Sequence, residues 1–104
     1  MIRELAVLQL KTGAGAAITA AFASVAHYLM AADGYHRHRL VASIDHPDVY
    51  LLEVDWSDLS AHVEEFEPSA AHAHFMAALE PLLLIEPKVI HVPLAGFEDV
   101  GSER

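Results

Sequence analysis

The chain has 104 residues, fifteen acidic against six basic side chains, a formal net charge of −9 and 54% hydrophobic residues. This length indicates one domain, and the acidic balance argues against nucleic acid and anionic membranes, which both attract clustered Lys and Arg. The chain has no cysteine, which excludes disulfides, thiolate nucleophiles and zinc–thiolate sites. We find neither a leader-type segment nor an apolar run of about 18 residues, so we expect a soluble cytoplasmic protein.

The first half of the chain predicts a strand, a helix and a hairpin. Residues 2–11 are rich in Leu and Val and predict a strand with apolar side chains on both faces. Residues 14–32 predict a helix, because apolar side chains recur there at helical spacing and Asp33-Gly34 is a typical stop signal. Residues 35–44 and 49–56 predict two antiparallel strands joined by a turn that contains proline.

The second half predicts a short helix, a second main helix, a fourth strand and an acidic tail, at residues 58–66, 69–83, 88–94 and 96–104. Ser57 or Asp58 is a suitable cap for the short helix, since a small polar side chain can accept a free backbone N–H there. Pro81 is expected to kink or end the main helix, because proline lacks the amide hydrogen that a helix interior needs.

The order β-α-β-β-α-β predicts a ferredoxin-like α+β sandwich with an antiparallel four-stranded sheet, formed by residues 1–95. Two helices can cover only one face of such a sheet. The other face is expected to carry apolar residues, among them Leu5, Val7, Val41 and Leu51. Because large apolar patches usually mark an interface, we expect a homodimer formed by sheet-to-sheet packing.

Charged residues on the hairpin have the spacing of cross-strand pairs. Arg37 and Arg39 are expected to lie opposite Glu53 and Asp55 on one face of the sheet. Such pairs stabilise a hairpin by about 0.2–1 kcal/mol each.

The stretch from Tyr50 to Phe75 begins with strand-forming residues, passes Trp56 and continues into a segment rich in histidine and phenylalanine. It predicts one wall and the floor of a small-molecule pocket. His62 and Phe66 are four residues apart and share a face of the short helix. A histidine titrates near neutrality, which suits proton transfer; the alternative is a surface histidine paired with a carboxylate such as Glu65. Trp56 is either a pocket wall with an indole N–H for a ligand oxygen or a core residue.

Several segments together resemble the antibiotic biosynthesis monooxygenase family, which belongs to the dimeric α+β barrel superfamily. They are a strand followed by Lys-x-Gly, a helix followed by Gly34-Tyr35, and the runs YLLEVDW, LSAHVEEFEPS and ALEPLL. The resemblance extends over about residues 1–95. It implies a dimeric barrel and oxygen chemistry without a metal, flavin or other cofactor. In that chemistry a small phenol, anthrone or hydroquinone is deprotonated in an apolar pocket and its anion reacts with O2 to give a quinone.

The resemblance also implies roles for individual residues. Trp56 matches a tryptophan of the polyketide-tailoring members at the end of the third strand, His62 falls at a tyrosine position, and Leu52 falls near an asparagine position. The haem-degrading members resemble the chain less well. Their asparagine, tryptophan and histidine align with Ala6, Phe66 and Met76. The chain contains no asparagine at all.

The predicted function is therefore cofactor-independent oxidation of a small aromatic or quinol-type ligand with O2, with His62 as proton acceptor and Trp56 as orienting wall. The predicted lining residues are Phe22, Leu52, Phe66, His72 and Met76. The alternative is a non-catalytic dimeric ligand-binding or stress-response module on the same fold. No metal is expected, because His36 and His38 share a strand face but no third ligand is evident.

Overall fold

A computed structural model describes residues 1–98 of the chain; the end of the predicted acidic tail, residues 99–104, lies outside this part. The strands are β1 (Ile2–Gln9), β2 (Tyr35–Ala42), β3 (Val49–Trp56) and β4 (Lys88–Pro93). The α-helices are α1 (Gly15–Met30) and α2 (Ala70–Leu79), with a π-helix (Ala61–Phe66) before α2 and a 3-10 helix (Glu80–Leu82) after it. Within residues 1–98, none of the helices has the length and apolar character needed to cross a bilayer.

The four strands form one sheet in the order β2-β3-β1-β4, and every neighbouring pair is antiparallel. This confirms the predicted ferredoxin-like α+β fold. Because β1 and β3 lie in the centre, side chains at alternate positions of these strands are shielded by the helices. Ala6 pairs with Leu52 of β3 and with Val89 of β4, so these three residues lie side by side on the helix-covered face.

The second main helix is shorter than predicted. Its regular part ends at Leu79, and Pro81 lies in the 3-10 helix that follows, where the ring is tolerated near the start of a turn. Ser69 caps its beginning, since the serine Oγ accepts the backbone N–H of His72 at 3.1 Å. The segment predicted as a short helix at 58–66 is π-helical from Ala61 onwards, a geometry that often occurs at functional sites.

The open face of the sheet carries the predicted charge pairs. Arg37 lies opposite Asp55 and Arg39 opposite Glu53, and both pairs form ion pairs. Arg3 also binds Asp55, with 2.7 Å between Nε and Oδ1. The hydrogen bond from Arg3 is the main cause that lowers the pKa of Asp55 below its ordinary value, so this carboxylate stays charged between two arginines. Leu5, Val7, Val41 and Leu51 are half-buried on the same face.

An irregularity at the start of β2 separates the two histidines that were expected to share a face. The register shifts between Tyr35 and Arg37, which leaves His36 as the extra residue of a bulge. The Nε2 atom of His36 lies 2.8 Å from the hydroxyl of Ser57. His38 instead lies within 2.6 Å of the Tyr35 hydroxyl, so the two imidazoles have different partners.

Candidate functional site

A cavity of about 950 Å³ lies between the helix-covered face of the sheet and α2. Its floor is formed by alternate residues of β1, β3 and β4, and its roof by α2 and the segment that leads to β4. The floor residues are Glu4, Ala6, Leu8, Leu52, Val54 and Val89, and the roof includes His72, Ala73, Met76, Ala77, Leu84 and Ile85. This volume is typical of small-molecule sites, which are mostly apolar with a few polar groups.

The π-helix brings His62 to one end of this cavity. Asp58 starts the segment, because its Oδ1 accepts the backbone N–H of Ala61 at 2.9 Å. The wide turn is closed by the hydrogen bond from the Glu67 N–H to the His62 carbonyl at 2.8 Å. His62 and Phe66 both point inward as expected from their spacing, and their ring centroids lie 6.4 Å apart.

Four buried or half-buried side chains form the polar part of the site, which we call the Glu4 cluster: Glu4, Trp56, His62 and His91. The indole N–H of Trp56 donates to Glu4 Oε1 at 3.0 Å, and His62 Nε2 lies 3.3 Å from the same oxygen. On the other side of the ring, His62 Nδ1 lies 2.7 Å from His91 Nε2. The cluster joins four elements: β1, β3, the π-helix and β4.

Stacking fixes the plane of the His62 ring. It lies nearly parallel to the indole of Trp56, with 5.1 Å between centroids and 17° between planes. Only 2% of His62 and none of Trp56 is exposed. His62 is thus no surface histidine, and its carboxylate neighbour is Glu4 rather than Glu65.

Burial shifts both titrating groups at the centre of the cluster away from their charged forms. Desolvation raises the pKa of Glu4 to about 7, against the hydrogen bond from Trp56, which lowers it. Desolvation, with smaller contributions from His91 and His72, lowers the pKa of His62 to about 4. His62 is consequently neutral near pH 7, whereas Glu4 takes up and releases its proton much closer to neutrality than an exposed glutamate.

Two proton arrangements satisfy these contacts. With an ionised Glu4, the His62 proton sits on Nε2 and faces the carboxylate, while Nδ1 accepts from His91. With a protonated Glu4, the carboxyl hydrogen faces Nε2, and Nδ1 donates to His91. Shifting hydrogens along Glu4, His62 and His91 converts one arrangement into the other, so the cluster can carry a proton between the cavity and strand β4.

The charged residues around the cavity are all acidic or imidazole groups. Besides Glu4 and His62, the titratable lining residues within 1–98 are His72, Glu67, Glu80 and Glu86, and no Lys or Arg lies among them. Burial lowers the pKa of His72, which favours its neutral form. Among residues 1–98, the cavity lining therefore offers no fixed positive charge to hold an anionic ligand.

The predicted site residues divide into two groups. The cavity lining includes His62, Leu52, His72 and Met76. Trp56, Phe22 and Phe66 lie in the adjoining core and do not line the cavity: the edge of Phe22 meets Phe75, and Phe66 packs on Trp56. The indole N–H predicted to face a ligand instead donates to Glu4.

Sequence reasoning missed Glu4 and His91. A signal for Glu4 was present, since it shares a strand face with Ile2, Ala6 and Leu8 and is the one charged residue in that alternating set. His91 had no comparable signal. It enters the cluster because β4 pairs with β1 in a register that places His91 directly opposite Glu4.

Metal ligation has no support in the described part of the chain. No group of three or more His, Asp or Glu side chains within residues 1–98 is arranged to hold a metal ion. Glu4, His62 and His91 are instead arranged as hydrogen-bond partners of one another, with contacts of 2.7 and 3.3 Å.

The fold and the cavity define a ferredoxin-like α+β protein with a buried acid–imidazole site, and comparison with known proteins identifies its family. The chain belongs to the antibiotic biosynthesis monooxygenase family, whose model matches residues 1–78. A sequence relative is the uncharacterised protein YczJ of Bacillus subtilis, 32% identical over 100 residues that cover 96% of this chain and all of YczJ.

Solved structures show the same architecture. A candidate antibiotic biosynthesis monooxygenase from Bordetella bronchiseptica superposes with a TM-score of 0.87 at 29% identity, covering 90% of this chain and 96% of that one. SnoaB, a cofactor-independent oxygenase from Streptomyces nogalater, gives a TM-score of 0.72 at 17% identity and covers 97% of both chains. The similarity to SnoaB shows that the two proteins share a fold.

Proposed function

We propose that the protein is a cytoplasmic, cofactor-independent monooxygenase that oxidises a small, uncharged aromatic or quinol-type substrate with O2. The observation that carries this proposal is the Glu4 cluster at the end of a cavity of about 950 Å³. A mostly apolar cavity that also contains a linked acid and imidazole suits deprotonation of a phenol away from water. Membership in the family, together with the fold shared with the oxygenase SnoaB, supports the same reaction class.

The reaction balances without a further reductant. The phenol loses its hydroxyl proton to the protein, and the resulting electron-rich anion supplies the electrons that reduce O2. One oxygen atom is bonded to the ring carbon opposite the hydroxyl, or in a hydroquinone to a free ring carbon beside a hydroxyl, and the hydrogen on that carbon is lost. The second oxygen atom leaves as water, which takes up both hydrogens, and the ring becomes a quinone. The protein supplies the proton acceptor and a cavity that shields the anion from part of the solvent.

A homodimer is part of this proposal. The open face of the sheet carries half-buried apolar residues beside the Arg3–Asp55–Arg37 ion pairs, a surface suited to a second copy of the same sheet. Packing of this kind would generate the dimeric α+β barrel that the family resemblance implies. It would also leave the cavity, on the opposite face, free to receive a ligand.

Two features favour the alternative of a non-catalytic dimeric ligand-binding or stress-response module. The chain contains no asparagine, and the Trp56 N–H is already bound to Glu4. Few donors therefore remain to stabilise a developing oxyanion.

Oxygen uptake with a panel of phenols, hydroquinones and anthrones separates the two functions. We expect uptake above the protein-free rate in the wild type and a loss of at least about ten-fold in His62→Ala. The control is His74→Ala, because His74 is exposed and stacks on Tyr28 outside the cavity. Unchanged turnover in His62→Ala removes His62 from the mechanism. No turnover of any panel member by the wild type favours the binding module.

A further inference from the structure

The two carboxylate oxygens of Glu4 have different surroundings. Oε1 accepts the Trp56 N–H and faces His62, whereas no hydrogen bond within residues 1–98 reaches Oε2. Every fully buried side-chain nitrogen or oxygen in this part of the chain has a hydrogen-bond partner. Oε2 is therefore not fully enclosed by protein, and the cavity that Glu4 lines is where a ligand could reach it.

The imidazole ring of His62 is less accessible to a ligand than Oε2 of Glu4. Nδ1 is held by His91 at 2.7 Å and Nε2 faces Glu4 at 3.3 Å, so both ring nitrogens are occupied within the protein. Only 2% of His62 is exposed. A ligand in the cavity thus meets an unshared carboxylate oxygen more readily than a free imidazole nitrogen.

We propose that Glu4 is the residue that binds the hydroxyl group of the ligand, through Oε2, and takes its proton, while His62 is a positioning residue that orients the carboxylate. In this step the ligand O–H bond breaks, the electron pair stays on the ligand oxygen, and a new O–H bond forms on Glu4. The ligand is an uncharged phenol. Its class rests on the proposed function, but its binding by Glu4 does not require that the ligand be oxidised.

The substitution Glu4→Gln tests this contact without changing its shape. The Trp56 N–H still needs an acceptor, so the amide oxygen is expected to stay at the Oε1 position. The amide NH2 group then replaces Oε2 at the cavity, which turns an acceptor into a donor. The matched control is Glu64→Gln, the same chemical change at an exposed side chain that bonds Ser60 outside the cavity.

The readout is the binding of para-cresol and of its methyl ether, measured by calorimetry under anaerobic conditions. In the ether a methyl group replaces the hydroxyl hydrogen, so it cannot donate a hydrogen bond. We expect the wild type and Glu64→Gln to prefer the cresol by on the order of ten-fold, the usual worth of a hydrogen bond to a charged group. In Glu4→Gln this preference should fall to about two-fold or less, because the amide N–H can donate to the oxygen of either compound. His62→Ala should lower the preference and His62→Gln restore part of it, since glutamine can still donate to Glu4.

Three results would overturn the assignment: equal binding of the two compounds by the wild type, an unchanged preference in Glu4→Gln, or binding of neither compound. The outcome is independent of catalysis. If no panel compound is oxidised but the cresol preference depends on Glu4, the proposed oxygenase function fails and the ligand contact stands. If a panel compound is oxidised but Glu4→Gln keeps the preference for the cresol, the contact between Glu4 and the ligand hydroxyl is excluded and the oxygenase function stands.

Discussion

Glu4 Oε1 lies 3.3 Å from Nε2 of His62 in a region where both side chains are more than nine-tenths buried. An exposed pair of this kind would be an ordinary ion pair near neutral pH. Here, desolvation penalises both charged forms and moves the two pKa values in opposite directions, to about 7 for Glu4 and about 4 for His62. The pair is thereby suited to pass a proton at neutral pH rather than to hold a fixed salt bridge.

The raised pKa of Glu4 predicts a specific effect on stability. Between the ordinary pKa of 4.5 and the folded-state value of about 7, the native protein holds the Glu4 proton more tightly than the unfolded chain. The Glu4 contribution to the free energy of unfolding therefore falls as the pH rises through this range. Glu4→Gln should remove that loss and become more stable than the wild type above pH 7, by on the order of 1–3 kcal/mol.

Urea unfolding of the two proteins at pH 5 and pH 8 measures this difference. Several titratable groups face Glu4 from the surrounding elements: His62 of the π-helix, His91 of β4, Glu67 after the π-helix and His72 of α2. The lowered pKa of His62 acts with the opposite sign. Between about pH 4 and 6.5 the unfolded chain binds the His62 proton more tightly than the native protein, so the free energy of unfolding falls as the pH is lowered through this range. The buried-carboxyl account would be contradicted if the difference in free energy of unfolding between Glu4→Gln and the wild type did not move in favour of the variant from pH 5 to pH 8.

The connection between α1 and β2 depends on Gly34. Its φ of +84° is in the left-handed region, and a methyl group there would lie 2.6 Å from the Cβ of Ala61. We expect Gly34→Ala to destabilise the fold by about 2–4 kcal/mol, through backbone strain and overpacking. Gly13 is the control, because it has a similar φ of +77° but no atom within 4 Å of the added methyl, so only the strain term should remain.

A second substitution tests the steric part of that prediction. Gly34→Ala combined with Ala61→Gly removes the methyl group that would collide, and should recover part of the lost free energy of unfolding in urea titrations. Equal destabilisation by Gly34→Ala and Gly13→Ala would show that the approach of Ala61 does not matter.

The open face of the sheet is expected to form the homodimer interface. Leu51 lies on the inner strand β3, opposite Val7 on β1 and Val41 on β2. Leu51→Glu would bury an unpaired carboxylate in the interface, which is costly, and should convert the protein into monomers. Light scattering at micromolar concentration should give twice the chain mass for the wild type and for Ala16→Glu, a change at an exposed position of α1.

Wild-type protein with the mass of a single chain would exclude this interface. A dimer that persists in Leu51→Glu would instead mean that the subunits meet through another surface.

The acidic lining of the cavity predicts discrimination by ligand charge. Glu4, Glu67, Glu80 and Glu86 surround the space, and no Lys or Arg within residues 1–98 lines it. Replacing the methyl group of para-cresol by a carboxylate should weaken binding by at least about ten-fold through like-charge repulsion and desolvation. Calorimetry with para-hydroxybenzoate measures the effect, and equal or tighter binding of this anion would contradict the assignment of an uncharged ligand.

The alternation of apolar residues and the position of turn residues were enough to predict the element order. The charge pairs of Arg37 and Arg39 were also predictable, because alternate residues of two antiparallel strands share a face of the sheet. The π-helical form of residues 61–66 was not, because the same apolar spacing is compatible with an α-helix. The cavity depends on how far α2 stands from the sheet, which no local pattern specifies.

The site itself was only half accessible to sequence reasoning. His62 and Trp56 are six residues apart and were easily associated. Glu4 is 52 residues from Trp56 in the chain, so their hydrogen bond follows only from the β1–β3 register. Of the two interpretations of Trp56, ligand contact or core residue, the structure shows the core position, with the indole N–H bound to Glu4.

The proposed reaction inserts one oxygen atom from O2 into an aromatic substrate bound in this cavity, without a cofactor. Turnover of an anthrone under isotopically labelled O2, in buffer freed of metals, tests it most directly. We predict a quinone that contains one labelled oxygen atom, formed well above the protein-free rate by the wild type and much more slowly by Glu4→Gln. Product without label, or formation no faster than in the absence of protein, would contradict the account.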